Sequence, residues 1–193
     1  MEGKSVAVVG NAPRIVDDSK EIDCYDVIIR MNKGAKPGER TDILTCGNVR
    51  PFSETMKEPR PTLWWLKYTY KGAKHIHQLA EWLVAQKASP VEMFAFTKDM
   101  EAPLVARLKR ATAAKIRVMP STGLRVLELL VKKSKARSIT TFGMNFWGRD
   151  GGPKISWTSL EGAHRHHSPK AEFTVFQNMR FTRQREGQWH RAI

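Results

Sequence analysis

The four-residue apolar run Val6-Ala7-Val8-Val9, closed at once by Gly10-Asn11, constrains this chain more than any other stretch. A continuous apolar run of this length, without polar alternation, suits a strand buried on both faces of a parallel sheet. Gly10 lets the chain turn where a side chain would clash. Asn11 then falls at the carboxyl end of the strand, where open α/β sheets bind their ligands. Its amide both donates and accepts, which suits a base, a ribose or a phosphate edge.

The pattern recurs. Asp26-Val27-Ile28-Ile29-Arg30 predicts a second strand, ending in Met31-Asn32, and Asp42–Cys46 a third, ending in Gly47-Asn48. Three asparagines beyond three strand ends point to a polar pocket along one sheet edge, with Asn48 the weakest of the set. Further strands are expected at Thr62–Leu66, Val91–Phe96, Lys115–Val118 and Ser138–Gly143. Between them, Arg14 to Lys20 reads as a short helix or turn, and Ala73 to Gln86 as a helix. Pro103 to Ala114 reads as a basic amphipathic helix, with Leu104, Val105, Leu108 and Ala111 as its stripe and Arg107, Lys109 and Arg110 on its polar face. Ser121 is a natural N-cap for a helix running to about Lys133, with Leu124, Leu127, Leu130 and Val131 inward. Ser168-Pro169 opens a last helix to about Met179. From Met144 the pattern becomes irregular, as in a long loop or lid, and the tail with Arg183, Arg185 and Arg191 is expected to be mobile. Strands alternating with helices predict an α/β fold, a central mostly parallel sheet flanked by helices, with residues 1–193 as a single domain.

Lys and Arg total 33 against 19 acidic residues, a net charge of +14, which implies an anionic partner. A nucleic acid, an anionic membrane surface, a sugar nucleotide and an acidic glycan all qualify. Nucleic acid is the least favoured, because the basic residues are scattered and not interleaved with aromatics as on a stacking platform. The basic helix at Pro103–Ala114 is either a solvated face or a membrane-surface element. No apolar stretch approaches membrane-spanning length, and because Met1-Glu2-Gly3-Lys4 leads straight into the first strand, no signal peptide is expected. Cys24 and Cys46, the only cysteines, have neither metal-type spacing nor a disulfide framework. A reducing, cytoplasmic location is therefore expected, with a peripheral contact to the inner face of the membrane.

Two helix starts carry candidate chemistry. Ser121, Thr122 and Gly123 offer hydroxyls and open backbone N–H groups, a ready phosphate site as well as an ordinary cap. His167 precedes the helix begun by Ser168-Pro169, where the helix dipole disfavours the imidazolium and leaves a ring able to accept a proton. Glu172, five residues on, is placed to orient that ring. His164, His166 and His167 also suggest a metal site, but no matching carboxylate or cysteine set accompanies them, and no metal or cofactor is expected.

In order along the chain, several segments resemble the sialyl motifs of the eukaryotic-type sialyltransferases, glycosyltransferase family 29. Val8-Val9-Gly10-Asn11, Ile22-Asp23, Asp26–Asn32 and Gly38-Glu39-Arg40-Thr41-Asp42-Ile43 resemble the large motif. Pro120-Ser121-Thr122-Gly123-Leu124, through the leucine-rich helix to Phe142-Gly143, resembles the small motif. His167 with Glu172 resembles the very small motif. The resemblance implies a GT-A-like Rossmann-type fold and a metal-independent, inverting transfer of sialic acid or a related acidic sugar from a CMP-activated donor to a glycan or lipid-linked glycan. It implies donor contacts at Asn11, Asn32, Ser121, Thr122, Gly123 and Gly143, with His167 as the base that deprotonates the acceptor hydroxyl. The chain departs from the pattern in three ways. Residues 144–163 contain no tyrosine for the family's third motif, which leaves leaving-group assistance unassigned. Val6 and Ser134 stand where the animal enzymes carry a cysteine pair. The chain is shorter than the animal catalytic domains, and a compact bacterial relative without membrane anchor or stem is expected. A nucleotide- or RNA-binding module without turnover, or a degenerate transferase, is the competing class.

Overall fold

Alternation along the first strand divides the core in two. The computed structural model describes residues 1–12, 17–31, 39–46, 63–66, 77, 81, 92–112, 119–144, 167–179, 182–185 and 188–192. In β1 (Ser5–Val9), Val6 and Val8 face one way and Ala7 and Val9 the other, and all four are buried. Ala7 and Val9 pack with Ile28 and Phe142 against Ile22 of α1 (Ser19–Asp23). Val6 and Val8 join Ile29, Met31, Ile43 and Ile139 in a larger cluster beneath three helices, α2 (Lys98–Ala111), α3 (Thr122–Lys133) and α4 (Pro169–Gln177). The strands thus have helices on both faces, as the unbroken apolar run requires.

The remaining strands are β2 (Val27–Met31), β3 (Ile43–Cys46), β4 (Leu63–Leu66), β5 (Glu92–Ala95), β6 (Ser138–Phe142), β7 (Thr182–Arg185) and β8 (Gln188–Ala192). They form one sheet in the order β5-β4-β3-β2-β1-β6-β8-β7. The pairs from β5 across to β6 are all parallel, with Val8 opposite Ile29 on one side and Thr141 on the other. The chain steps outward from β1 to β5 and then returns to place β6 on the opposite side of β1. The order therefore reverses between β1 and β6, and such a reversal opens a crevice outside the carboxyl ends of the two strands.

Several elements differ from the sequence expectation. Of the short helix or turn expected from Arg14 to Lys20, residues 14–16 lie outside the described residues, and a helix is found at Ser19–Asp23. The basic helix begins at Lys98 instead of Pro103, because Thr97 caps it by accepting from the Met100 N–H at 3.3 Å and Asp99 and Glu101 complement its first turn. Those terms outweigh Pro103, which sits inside the helix and leaves one carbonyl without its usual donor. Arg107 is not on an open polar face but is paired with the buried Glu128 of α3. α3 is not half-exposed either: every residue from Gly123 to Leu130 is buried, charged ones included. The tail, expected to be mobile, forms β7 and β8, an antiparallel pair beside β6.

The remaining expectations hold for the strands at Asp26–Arg30, Asp42–Cys46, Thr62–Leu66, Val91–Phe96 and Ser138–Gly143, to within a residue or two. Of the helix expected at Ala73–Gln86, only His77 and Glu81 are described, both helical. The segments 32–38, 47–62, 113–118 and 145–166 lie outside the described residues. With them fall Asn32, Asn48, the strand expected at Lys115–Val118, the loop after Met144, His164 and His166. No helix among the described residues is long and apolar enough to cross a membrane.

Candidate functional site

Glycines bring the ends of β1 and β6 close together. The Gly10 N–H donates to the Phe142 carbonyl at 2.7 Å, and the Ala12 N–H to the Gly143 carbonyl at 3.1 Å. A Cβ at position 10 would lie 2.3 Å from the Gly143 carbonyl oxygen, so only glycine fits. Gly143 itself has φ of 59°, a left-handed turn that glycine adopts without strain. Asn11 and Gly143 therefore lie side by side at the carboxyl ends of β1 and β6. Asn11 Oδ1 is buried and has no hydrogen-bond partner among the described residues, which leaves it an acceptor for a donor group.

α3 delivers its N-terminus to the same edge. A Cβ on Gly123 would meet Met144 Cε at 2.8 Å and Met31 Sδ at 3.3 Å, so the first turn of α3 lies over the carboxyl ends of β2 and β6. Ser121 caps this helix, its Oγ accepting from the Leu124 N–H at 3.3 Å. Its own N–H donates to Glu172 Oε1 at 3.0 Å. The N–H groups of Thr122 and Gly123, at the first two helical positions, take no partner among the described residues. They are the amides left for an anion.

α4 starts beside them. Ser168 Oγ accepts from the Ala171 N–H at 3.4 Å and Pro169 occupies the first helical position, as the sequence predicts. His167, just before the cap, sets its Nδ1 2.8 Å from the Met119 carbonyl oxygen and 3.3 Å from Glu172 Oε1. A carbonyl only accepts, so Nδ1 is the nitrogen that carries the proton. The lone pair of the neutral ring is then on Nε2. The His167 side chain is 23% exposed whereas that of Glu172 is 0% exposed. Glu172 Oε2 is buried without a hydrogen-bond partner among the described residues.

Behind this pair lies a charge network that the sequence reading did not single out. Arg125 of α3 is bound through Nε and Nη2 to Glu101 of α2, the Nε contact being 2.9 Å, and through Nη1 to the Pro120 carbonyl. Burial pulls the guanidinium pKa below its usual value, and Glu101 first, then Glu172, pull it back. Farther along the same helices, Arg107 and Lys132 both reach Glu128, Lys132 at 2.6 Å. The visible signal was Arg125 and Glu128 sitting three residues apart within a leucine-rich helix.

Of the expected site residues, Asn11, Ser121, Thr122, Gly123, Gly143, His167 and Glu172 all lie at the carboxyl edge of the sheet. Ser121, His167 and Glu172 are in direct contact with one another or share a partner. Among the described residues, no group of three or more His, Cys, Asp or Glu side chains is placed to hold a metal ion. No protein-family model matches the chain, and no curated protein matches it.

Proposed function

We propose that the chain is an inverting glycosyltransferase of the sialyltransferase-like kind. It would move sialic acid or a related acidic sugar from a CMP-activated donor to a glycan hydroxyl. The observation that carries the reading is the contact of Glu172 with Ser121 and His167. It joins the two helix starts that resemble the small and very small sialyl motifs, although 51 residues separate Ser121 from Glu172.

In this reading the donor nucleotide lies over the crevice between β1 and β6, against Asn11 and Gly143. Its phosphate meets the Thr122 and Gly123 N–H groups and the Ser121 hydroxyl, with Asn32 as a further contact. The acceptor hydroxyl gives its proton to His167 Nε2. Its oxygen attacks the anomeric carbon from the face opposite the phosphate, and the bond from that carbon to the phosphate oxygen breaks, releasing CMP. Glu172 holds the Nδ1–H tautomer and stabilises the positive charge that the ring gains with the proton, the role of the carboxylate in a catalytic triad. A single phosphate can be stabilised by amides and hydroxyls without a cation.

Calorimetry with the four nucleoside monophosphates tests the donor assignment. CMP should bind in clear preference to the others, and equal or absent binding would refute the assignment. Transfer should persist in chelator; loss restored by magnesium or manganese would remove the metal-independent mechanism. Specific CMP binding with no turnover, across varied cytidine-linked sugars and acceptors, would favour the degenerate, binding-only form.

A further inference from the structure

Three consecutive backbone polar groups before α3 are each taken by a different side chain. The Met119 carbonyl accepts from His167, the Pro120 carbonyl from Arg125, and the Ser121 N–H donates to Glu172. The last two belong to a single planar peptide unit, whose C=O and N–H point in opposite directions. One end is therefore held by a guanidinium and the other by a carboxylate. This unit turns only by coupled rotation about the Pro120 ψ and the Ser121 φ. Any such turn that releases the carbonyl from Arg125 also swings the Ser121 N–H away from Glu172. Glu172 Oε1 would then lose the Ser121 N–H and be left with His167 Nδ1.

We propose that Arg125 is a positioning residue for His167: it locks the Pro120–Ser121 peptide, which fixes the Glu172 carboxylate, which in turn fixes the imidazole. Arg125 is 3% exposed in its side chain and its hydrogen bonds go to Glu101 and the Pro120 carbonyl, so it acts through the peptide and Glu172. Glu101 of α2 holds the guanidinium in place from the other side. A forked, planar cation is needed because the same group must serve a carboxylate and a carbonyl at once, which an ammonium on a flexible stem does poorly.

This inference rests on reading His167 as the proton acceptor, but its test does not require turnover. In the full-length protein, nuclear magnetic resonance reports the Ser121 amide proton and the two ring nitrogens of His167. In the wild type, Ser121 N–H should be strongly downfield and protected from exchange, and Nδ1 should be the protonated nitrogen. Arg125→Lys keeps the charge and loses the fork. It should speed exchange at Ser121 at least about tenfold and move the His167 nitrogens toward a mixture of tautomers. Glu101→Gln, which weakens the anchor of the guanidinium, should act in the same direction and decides the matter if the lysine variant does not fold. A folded variant with wild-type signals at Ser121 and His167 overturns the proposal. Absence of CMP binding with these signals behaving as expected would instead sink the transferase reading and leave the positioning role of Arg125 intact.

Discussion

Burial separates the roles of His167 and Glu172. The partly exposed imidazole can meet an acceptor hydroxyl, and the fully buried carboxylate can act only through it. His167→Ala should therefore lower transfer by roughly two to four orders of magnitude, the usual scale for a general base. CMP affinity, measured on the same preparation, should be unchanged. Glu172→Gln should be milder, because an amide oxygen still accepts from Ser121 and from Nδ1–H. Near-normal transfer by the alanine variant would move the base to another residue. The glycines give a contrast in stability. At Gly10 an added methyl meets backbone, the Gly143 carbonyl, and Gly10→Ala should cost about 3 kcal/mol or more in urea unfolding. At Gly123 it meets the movable ends of Met144 and Met31 while alanine favours the helix, so Gly123→Ala should stay within about 1 kcal/mol of wild type. Both glycines were visible in the sequence, but the backbone that faces Gly10 comes from a strand more than a hundred residues away, which no local pattern encodes.

At the scale of elements, the sequence was most legible where one term dominated. An unbroken apolar run located β1, runs rich in β-branched residues located β2 and β6, and Ser121 and Ser168 located the starts of α3 and α4. It misled where two terms competed. Pro103 looked like a helix start until weighed against the Thr97 cap and the acidic first turn of α2. β7 and β8, Thr-Arg-Gln-Arg and Gln-Trp-His-Arg-Ala, carry no apolar alternation, and only the two-residue Glu186-Gly187 spacer between them hinted at a hairpin. The contact of Glu172 with Ser121 was illegible for a different reason: it joins two elements that each look complete, a capped helix and an acidic first turn. A link between β1 and β2 gives a prediction at this scale. Ser5 donates to Asp26 Oδ2 from its backbone N–H at 2.7 Å and its hydroxyl at 2.8 Å. These bonds, the backbone one first, hold the Asp26 carboxyl below its usual value of 3.8. A depressed folded-state pKa stabilises the protein above the unfolded value and is lost as pH falls through the folded one. Asp26→Asn should thus lower the unfolding temperature at neutral pH, with the gap closing in acid as the pH falls through the depressed folded-state pKa. A gap that persists unchanged in acid would show that the carboxylate charge contributes nothing there.

At the scale of the whole molecule, the two ends of the sheet differ in chemistry. The α3 N-terminus, His167 and the crevice lie at the carboxyl edge. α2 and α3 run side by side in the same direction, since Glu101 meets Arg125 near their starts and Arg107 meets Glu128 farther along. Their basic last turns, with Lys109, Arg110, Lys132 and Lys133, therefore lie toward the amino edge, where the Arg137 N–H meets the Lys4 carbonyl just before β1. If the excess positive charge holds the chain to an anionic leaflet through that end, the site faces away from the same leaflet. Vesicle sedimentation tests this. Binding to anionic vesicles should fall steeply with salt. Lys109→Glu, Arg110→Glu and Lys133→Glu together, all exposed positions, should weaken it about a hundredfold, given roughly 1 kcal/mol per basic residue near the surface. Lys132 is left in place because it serves the buried Glu128. CMP binding by the triple variant should match the wild type, since none of the three touches the crevice. Salt-sensitive binding that survives the reversal would move the contact to other basic segments, such as the strands carrying Arg183, Arg185 and Arg191. With the amino edge docked, a soluble glycan acceptor should turn over equally well with and without vesicles, whereas a short lipid-linked acceptor in that same leaflet should not reach His167. Turnover of the short lipid-linked acceptor by the docked wild type would show that the membrane is met at the carboxyl edge instead.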